Sequence, residues 1–158
     1  MDRLARRALQ AVIEIRRHAL VRHSPAEMFK LVDDVEAYPT RFAWCAGARI
    51  VERDGHSVVA RLDLRFAGFT QSFTTRNTAE APHRLQMHFV DGPFKSLDGA
   101  WTFDALGDAA KPAGCRIALA LDFEYAGLLA GPALRLGFQG LANRMVDDFV
   151  RAAAKAYG

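Results

Sequence analysis

Apolar and polar residues alternate with a period of two along most of the chain from Ala48 to Tyr125, and the period lengthens to three and four from Pro132 to Tyr157. Successive side chains of a strand point to opposite faces, whereas residues three and four apart share one face of a helix, so the change of period marks a change of element. The last strand-like run is the clearest: Cys115, Ile117, Leu119, Leu121, Phe123 and Tyr125 face one way, and Arg116, Asp122 and Glu124 the other. Before it, the alternating runs Leu85–Phe89 and Ser96–Asp104 flank Val90-Asp91-Gly92-Pro93-Phe94-Lys95. That arrangement predicts a turn and a hairpin, with Leu97, Gly99, Trp101 and Phe103 pointing inward. Asp54-Gly55 is a two-residue hairpin signal between Ala48–Arg53 and Ser57–Phe66, whose Val58, Ala60, Leu62, Leu64 and Phe66 share a face. Ala67-Gly68 turns the chain into Phe69–Thr78, with Phe69, Gln71, Phe73 and Thr75 aligned. Six or seven strands joined by short turns make an antiparallel meander.

Ahead of the meander, Ile13–Val21 reads as a first strand, its alternation blurred by Arg16, Arg17 and His18. Ser24-Pro25-Ala26-Glu27 then opens a short helix: Ser24 caps, Pro25 takes the first helical position, and Glu27 reaches back to the cap amide. This helix yields near Asp33-Asp34 to a second short segment from Val35 to Tyr38, which Pro39 is expected to stop. At the other end, Leu134, Phe138, Leu141, Met145, Phe149 and Ala153 form the stripe of a long amphipathic helix, with Arg135, Asn143, Arg144, Asp148, Arg151 and Lys155 outside it. One helix laid across the concave side of a curved sheet does not reach into the whole bend. Gly137 and Gly140 shorten its reach further, so a cavity between helix and sheet is expected.

The 158 residues, 51% of them hydrophobic, suffice for one domain with a substantial core. Residues 12–158 are read as that domain and residues 1–11 as a basic, disordered arm. No apolar run of about 18 residues occurs and the start lacks a signal-peptide core, so a cytoplasmic location is expected. Charge alters this picture only at the beginning. Of the net +3, residues 1–22 hold a surplus of four, six arginines against Asp2 and Glu14, which leaves the remainder with one net negative charge. A near-neutral body is not that of a DNA reader, which carries a basic stripe on its domain, so no DNA partner is expected. The arm, with Leu4, Ala8 and Leu9 among its arginines, suits an anionic surface and a peripheral place at the inner membrane.

Candidate chemistry is sparse. Cys45 and Cys115 lie far apart with no CxxC and no histidine at ligand spacing, so neither a disulfide nor a metal site is expected and both thiols are read as structural. His18, His23, His56, His83 and His88 pair with no nucleophile, and Asp33-Asp34 falls at a helix end where it is solvated. No catalytic constellation emerges, and the chain is read as a non-enzymatic protein without a cofactor.

Several segments together carry a resemblance: Ser24-Pro25-Ala26-Glu27-Met28-Phe29, Val32-Asp33-Asp34-Val35-Glu36-Ala37-Tyr38-Pro39, Trp44-Cys45, Phe73-Thr74-Thr75-Arg76-Asn77, Val90-Asp91-Gly92-Pro93-Phe94-Lys95, Gly99-Ala100-Trp101-Thr102-Phe103 and Leu121-Asp122-Phe123-Glu124. From about Ile13 to its C-terminus the chain resembles the coenzyme-Q-binding-protein family, which also contains the bacterial ribosome-association toxin, within the START-like superfamily of polyketide cyclases and lipid-transport proteins. It departs from the family at Arg41, where an aromatic residue is usual, and at Ala43, where proline precedes Trp44-Cys45. The resemblance implies an α+β helix-grip fold: a curved antiparallel sheet of six to seven strands wrapped around a long C-terminal helix, with two short helices after the first strand.

The resemblance also implies binding of a hydrophobic small molecule, ubiquinone or another lipid, by a carrier or chaperone that supports respiratory electron transport. Its alternative is a toxin that binds the large ribosomal subunit and blocks subunit joining. The residues expected to line the cavity are Phe42, Trp44, Leu64, Phe73, Met87, Phe89, Trp101, Phe103, Leu121, Phe123, Phe138, Leu141 and Met145, with Gln71 and Thr75 as inward polar groups. For a quinone, selectivity has to come from the head group. One isoprene unit leaving water is worth about 3 to 4 kcal/mol, yet a tail already in lipid gains almost none of it.

Overall fold

The computed structural model describes residues 12–66, 68–127 and 131–158; the arm at residues 1–11 and the turn residue Ala67 lie outside them. The described residues open with β1 (Ile13–Val21) and pass through Ser24 into α1 (Pro25–Asp33). Both halves of the capping box form: the Glu27 amide donates to Ser24 Oγ at 3.1 Å and the Ser24 amide to Glu27 Oε1 at 3.0 Å. Two of the amides that a helix start leaves without partners are thereby satisfied. A single 3₁₀ turn, Val35–Ala37, leads into α2 (Tyr38–Arg41). Pro39 does not stop this segment as expected. It sits in the first turn of α2, where a missing N–H forfeits no helical hydrogen bond.

Six strands follow: β2 (Cys45–Asp54), β3 (Ser57–Phe66), β4 (Phe69–Glu80), β5 (Arg84–Asp91), β6 (Phe94–Leu106) and β7 (Gly114–Tyr125). With β1 they make one seven-stranded antiparallel sheet in the order β1-β7-β6-β5-β4-β3-β2, so the first strand lies beside the last, and β1 and β2 are the edges. The β2–β3 hairpin closes on the pair Asp54 and Ser57, with Gly55 at φ +58° in the two-residue loop between them. The pairing is irregular at Cys45/Gly47, Ile50/Glu52, Thr74/Thr75 and Phe94/Ser96, the kind of break in a ladder that bends a strand.

The Asp91–Phe94 turn is looser than a tight hairpin. The β5–β6 ladder ends at His88 and Asp98, and Asp91 pairs back with Thr74 of β4. Gly92 turns there at φ +140°, and a Cβ on it would stand 2.7 Å from Phe73 Cβ, so both the backbone angle and the neighbouring strand require glycine.

The chain ends in α3 (Pro132–Tyr157), a helix of 26 residues laid across the concave face. Its inner stripe is Leu134, Phe138, Leu141, Ala142, Val146, Phe149 and Ala153, all buried, with Met145 half-buried beside them. Gly140 stands on the outer side with open space where its side chain would be, so it does not hollow the interior as the sequence predicts. No described helix is long and apolar enough to cross a membrane.

Candidate functional site

The space between α3 and the sheet is mostly filled. Two aromatic clusters occupy it, one toward each end of the helix. Near the start of α3, Phe138 meets Phe94 at 4.8 Å, Phe123 at 5.0 Å, Phe73 at 6.2 Å and Tyr125 at 6.5 Å between ring centres. Three turns further on, Phe149 meets Phe42 at 4.7 Å, Trp101 at 5.2 Å and Tyr38 at 5.4 Å. Most of these are edge-on contacts of the sort that adds to simple area burial.

Between the clusters remains a cavity of about 60 Å³. Its floor comes from Ala60, Leu62 and Leu64 of β3, Phe73, Thr75 and Asn77 of β4, Leu85 and Met87 of β5, Leu97 and Trp101 of β6, and Leu119 and Leu121 of β7. Phe138, Leu141, Ala142 and Met145 of α3 form the roof, and Val32, Val35, Tyr38 and Trp44 close one end. Ten of the fifteen residues expected at a ligand site stand on this wall: Trp44, Leu64, Phe73, Thr75, Met87, Trp101, Leu121, Phe138, Leu141 and Met145. The other five do not. Phe103 is buried against Phe29 of α1, Phe123 and Phe89 pack on Phe94, and Gln71 turns its amide to the Ser72 carbonyl at 3.2 Å. Phe42 lies on the outer side of Trp44, stacked on it at 4.7 Å.

Among the described residues the wall's polar groups are few. Thr75 Oγ1 donates to Asn77 Oδ1 at 2.8 Å, both residues being buried and two apart on one face of β4. The Tyr38 hydroxyl donates to the Val32 carbonyl, and burial raises its pKa well above the usual tyrosine range. Trp44 Nε1 donates to Asp148 Oδ2 at 3.1 Å, pointing away from the cavity. Asn77 escapes the sequence reading, although extending the alternation Gln71, Phe73, Thr75 by one step reaches it. Both cysteines are buried and unpaired, and burial pushes each thiol up to about 11. Among the described residues no three histidines, cysteines or acids gather as a metal site would need.

On the far side of Trp44 an open groove runs between α2, the end of β3 and the last turns of α3. Trp44 therefore borders both spaces.

A ribosome association toxin, RatA, of Escherichia coli (strain K12) is 40% identical over 144 residues that cover 91% of this chain and 89% of that protein. A mitochondrial coenzyme Q-binding protein, COQ10 homolog B of Xenopus laevis, is 23% identical over 147 residues, 92% of this chain and 60% of its own length. Among solved structures, the Zhui aromatase/cyclase from Streptomyces sp. R1128 shares the fold at a TM-score of 0.75, covering 91% of this chain and 92% of that one at 17% identity. Since residues 21–150, which hold α1, α2, strands β2 to β7 and most of the C-terminal helix, match the family described as polyketide cyclase / dehydrase and lipid transport, the chain belongs to that family.

Proposed function

We propose that this protein acts by associating with the ribosome, on the large subunit, through its outer surface. The observation that carries the reading is the size of the cavity, about 60 Å³ where small-molecule pockets hold roughly 300–1,000 Å³. A grip plugged toward both ends by aromatic clusters is built as a core. Support comes from the 40% identity to a ribosome association toxin over most of both chains. The cavity wall also argues for a protein that is not an enzyme. Thr75 Oγ1 donates to Asn77 Oδ1, the Tyr38 hydroxyl donates to the Val32 carbonyl, and among the described residues the wall holds no carboxylate, histidine or lysine, so no acid–base pair faces a substrate. The test is sedimentation of the purified chain with large ribosomal subunits. Saturable binding and reduced joining to small subunits are expected; absence of binding refutes the proposal.

A second reading, capture of a hydrophobic small molecule inside the grip, is favoured by one observation: the Thr75–Asn77 pair is a polar spot on an otherwise apolar wall. Asn77 also lines an open groove beside α1, β2 and β3, so the pair stands between the cavity and an outer space. Solvent extraction and mass spectrometry of protein purified from quinone-containing cells tests this. Near-stoichiometric quinone makes the carrier role primary, and ligand-free protein removes it.

A further inference from the structure

The near-neutral balance of the chain hides a cluster of positive charge. Without Arg3, Arg6, Arg7 and Asp2 of the arm, residues 12–158 hold a surplus of only one positive charge. Yet the groove beyond Trp44, an open space of about 590 Å³, is lined by Arg41, Arg65, Arg144, Arg151 and Lys155, with Asp148 as the single acid among the described residues. Both Asp148 oxygens are engaged locally, Oδ1 by Arg151 at 2.5 Å and Oδ2 by Trp44 Nε1 at 3.1 Å. Arg41 lies 3.3 Å from Asp34 at the rim. Arg65 and Arg144 are exposed and have no acidic partner among the described residues. The cations come from α2, the end of β3 and α3, so only the fold assembles them.

We propose that this groove seats the phosphodiester backbone of RNA, an assignment that rests on the ribosomal reading above and names the surface it uses. Four of the five cations are arginines, whose planar forks match phosphate oxygens and remain charged at any working pH. A membrane fits less well. The groove is concave, and its two aromatic residues, Phe42 and Trp44, are only 5% and 8% exposed, so no apolar side chain stands ready to enter lipid.

The test uses the full chain with a fluorescent oligouridylate and with purified large ribosomal subunits, each titrated over a range of salt. With Asp34 counted against Arg41 and Asp148 against Arg151, three net positive charges facing single-stranded RNA predict a slope of log K on log salt of about −2.1. The double variant Arg65→Gln/Arg144→Gln loses two of them, and its slope falls by about 1.4. At 0.1 M salt that is about a 25-fold loss of affinity if the two lines meet at 1 M. A matched control, Arg84→Gln/Lys111→Gln, removes two exposed cations outside the groove and is expected to leave both slopes unchanged. Equal unfolding midpoints show that the groove variant is folded; if its midpoint drops, Arg144→Gln alone is read, with a slope change of about 0.7.

Subunit binding that is the same in wild type and groove variant overturns the groove while leaving the ribosomal reading intact. Groove-dependent binding to oligouridylate with no binding to subunits supports the groove and defeats that reading. Loss of subunit binding with an unchanged salt slope and no affinity for oligouridylate overturns the assignment in favour of a protein partner. Groove-dependent binding only to vesicles of phosphatidylglycerol in phosphatidylcholine overturns it in favour of lipid, and an equal loss in the control overturns it as a mere effect of net charge.

Discussion

Replacing Phe138 by alanine measures how far the grip is a packed core. The ring is 3% exposed and touches four others, Phe73, Phe94, Phe123 and Tyr125, on the sheet. Truncating a buried phenylalanine costs about 3–5 kcal/mol, the lost transfer energy plus the cavity left behind. Phe138 also borders the 60 Å³ cavity, and on that side there are no partner atoms to lose. The lower half of the range, about 3–4 kcal/mol, therefore applies. For a chain of this size that is a fall of roughly 6–16 °C in melting temperature. Urea unfolding followed by both fluorescence and circular dichroism gives the free energy, provided the two transitions coincide. The enlarged hole is lined by apolar side chains, so saturating benzene is expected to raise the stability of Phe138→Ala and to leave wild type nearly unchanged. A loss below about 1 kcal/mol, or equal stabilisation of both proteins by benzene, refutes the packed-core account and returns the carrier reading to first place.

Three further outcomes are expected. Ser24→Ala removes the acceptor for the Glu27 amide and lowers stability by about 1 kcal/mol, measured as a shift in urea midpoint without a change of slope. Cys45 and Cys115, buried with their pKa pushed up to about 11, resist alkylation at pH 8 in the folded protein and react promptly in denaturant; fast labelling of the native chain refutes their placement. The Asp63 carboxyl is held below its ordinary value by the hydroxyl of Ser72 and then by Arg61. A folded pKa below the unfolded one adds stability above the unfolded value and loses it as pH falls through the folded one. Asp63→Asn is therefore less stable than wild type by under about 1 kcal/mol at neutral pH, and the gap closes below about pH 4. A gap that is constant with pH refutes the ionic account.

The elements were legible because each rests on a local cause. The period change at Pro132, the Ser24–Glu27 box and the turn at Gly55 all depend on near neighbours in the chain. The site was less legible because alternation fixes the face of a side chain and not its level along the strand. Trp101 and Phe103 share the inward face of β6, yet one reaches the cavity and the other lies under α1 against Phe29. Pro39 fooled a local rule because a helix start and a helix stop both tolerate proline, and only the preceding 3₁₀ turn decides between them. The basic groove was legible only in part: Arg144, Arg151 and Lys155 fall outside the apolar stripe of the last helix, but nothing local joins them to Arg41 and Arg65. Arg41, Arg65, Arg144, Arg151 and Lys155 are scattered over three segments, and a sum of charges along a chain carries no information about their distances in space.

The open sheet has a consequence for how this protein survives at high concentration. Among the described residues no further strand covers the row of backbone donors and acceptors on the outer side of β1 or of β2, which in a flat apolar strand is a template for aggregation. Both rims are blunted. β1 carries Glu14, Arg16, Arg17 and His18 along its length, and Arg17 reaches over to Asn143 of α3 at 2.6 Å. β2 is broken by two irregular pairings and ends in Glu52, Arg53 and Asp54. Charged side chains on one rim and irregular spacing on the other both disfavour a second copy adding edge to edge.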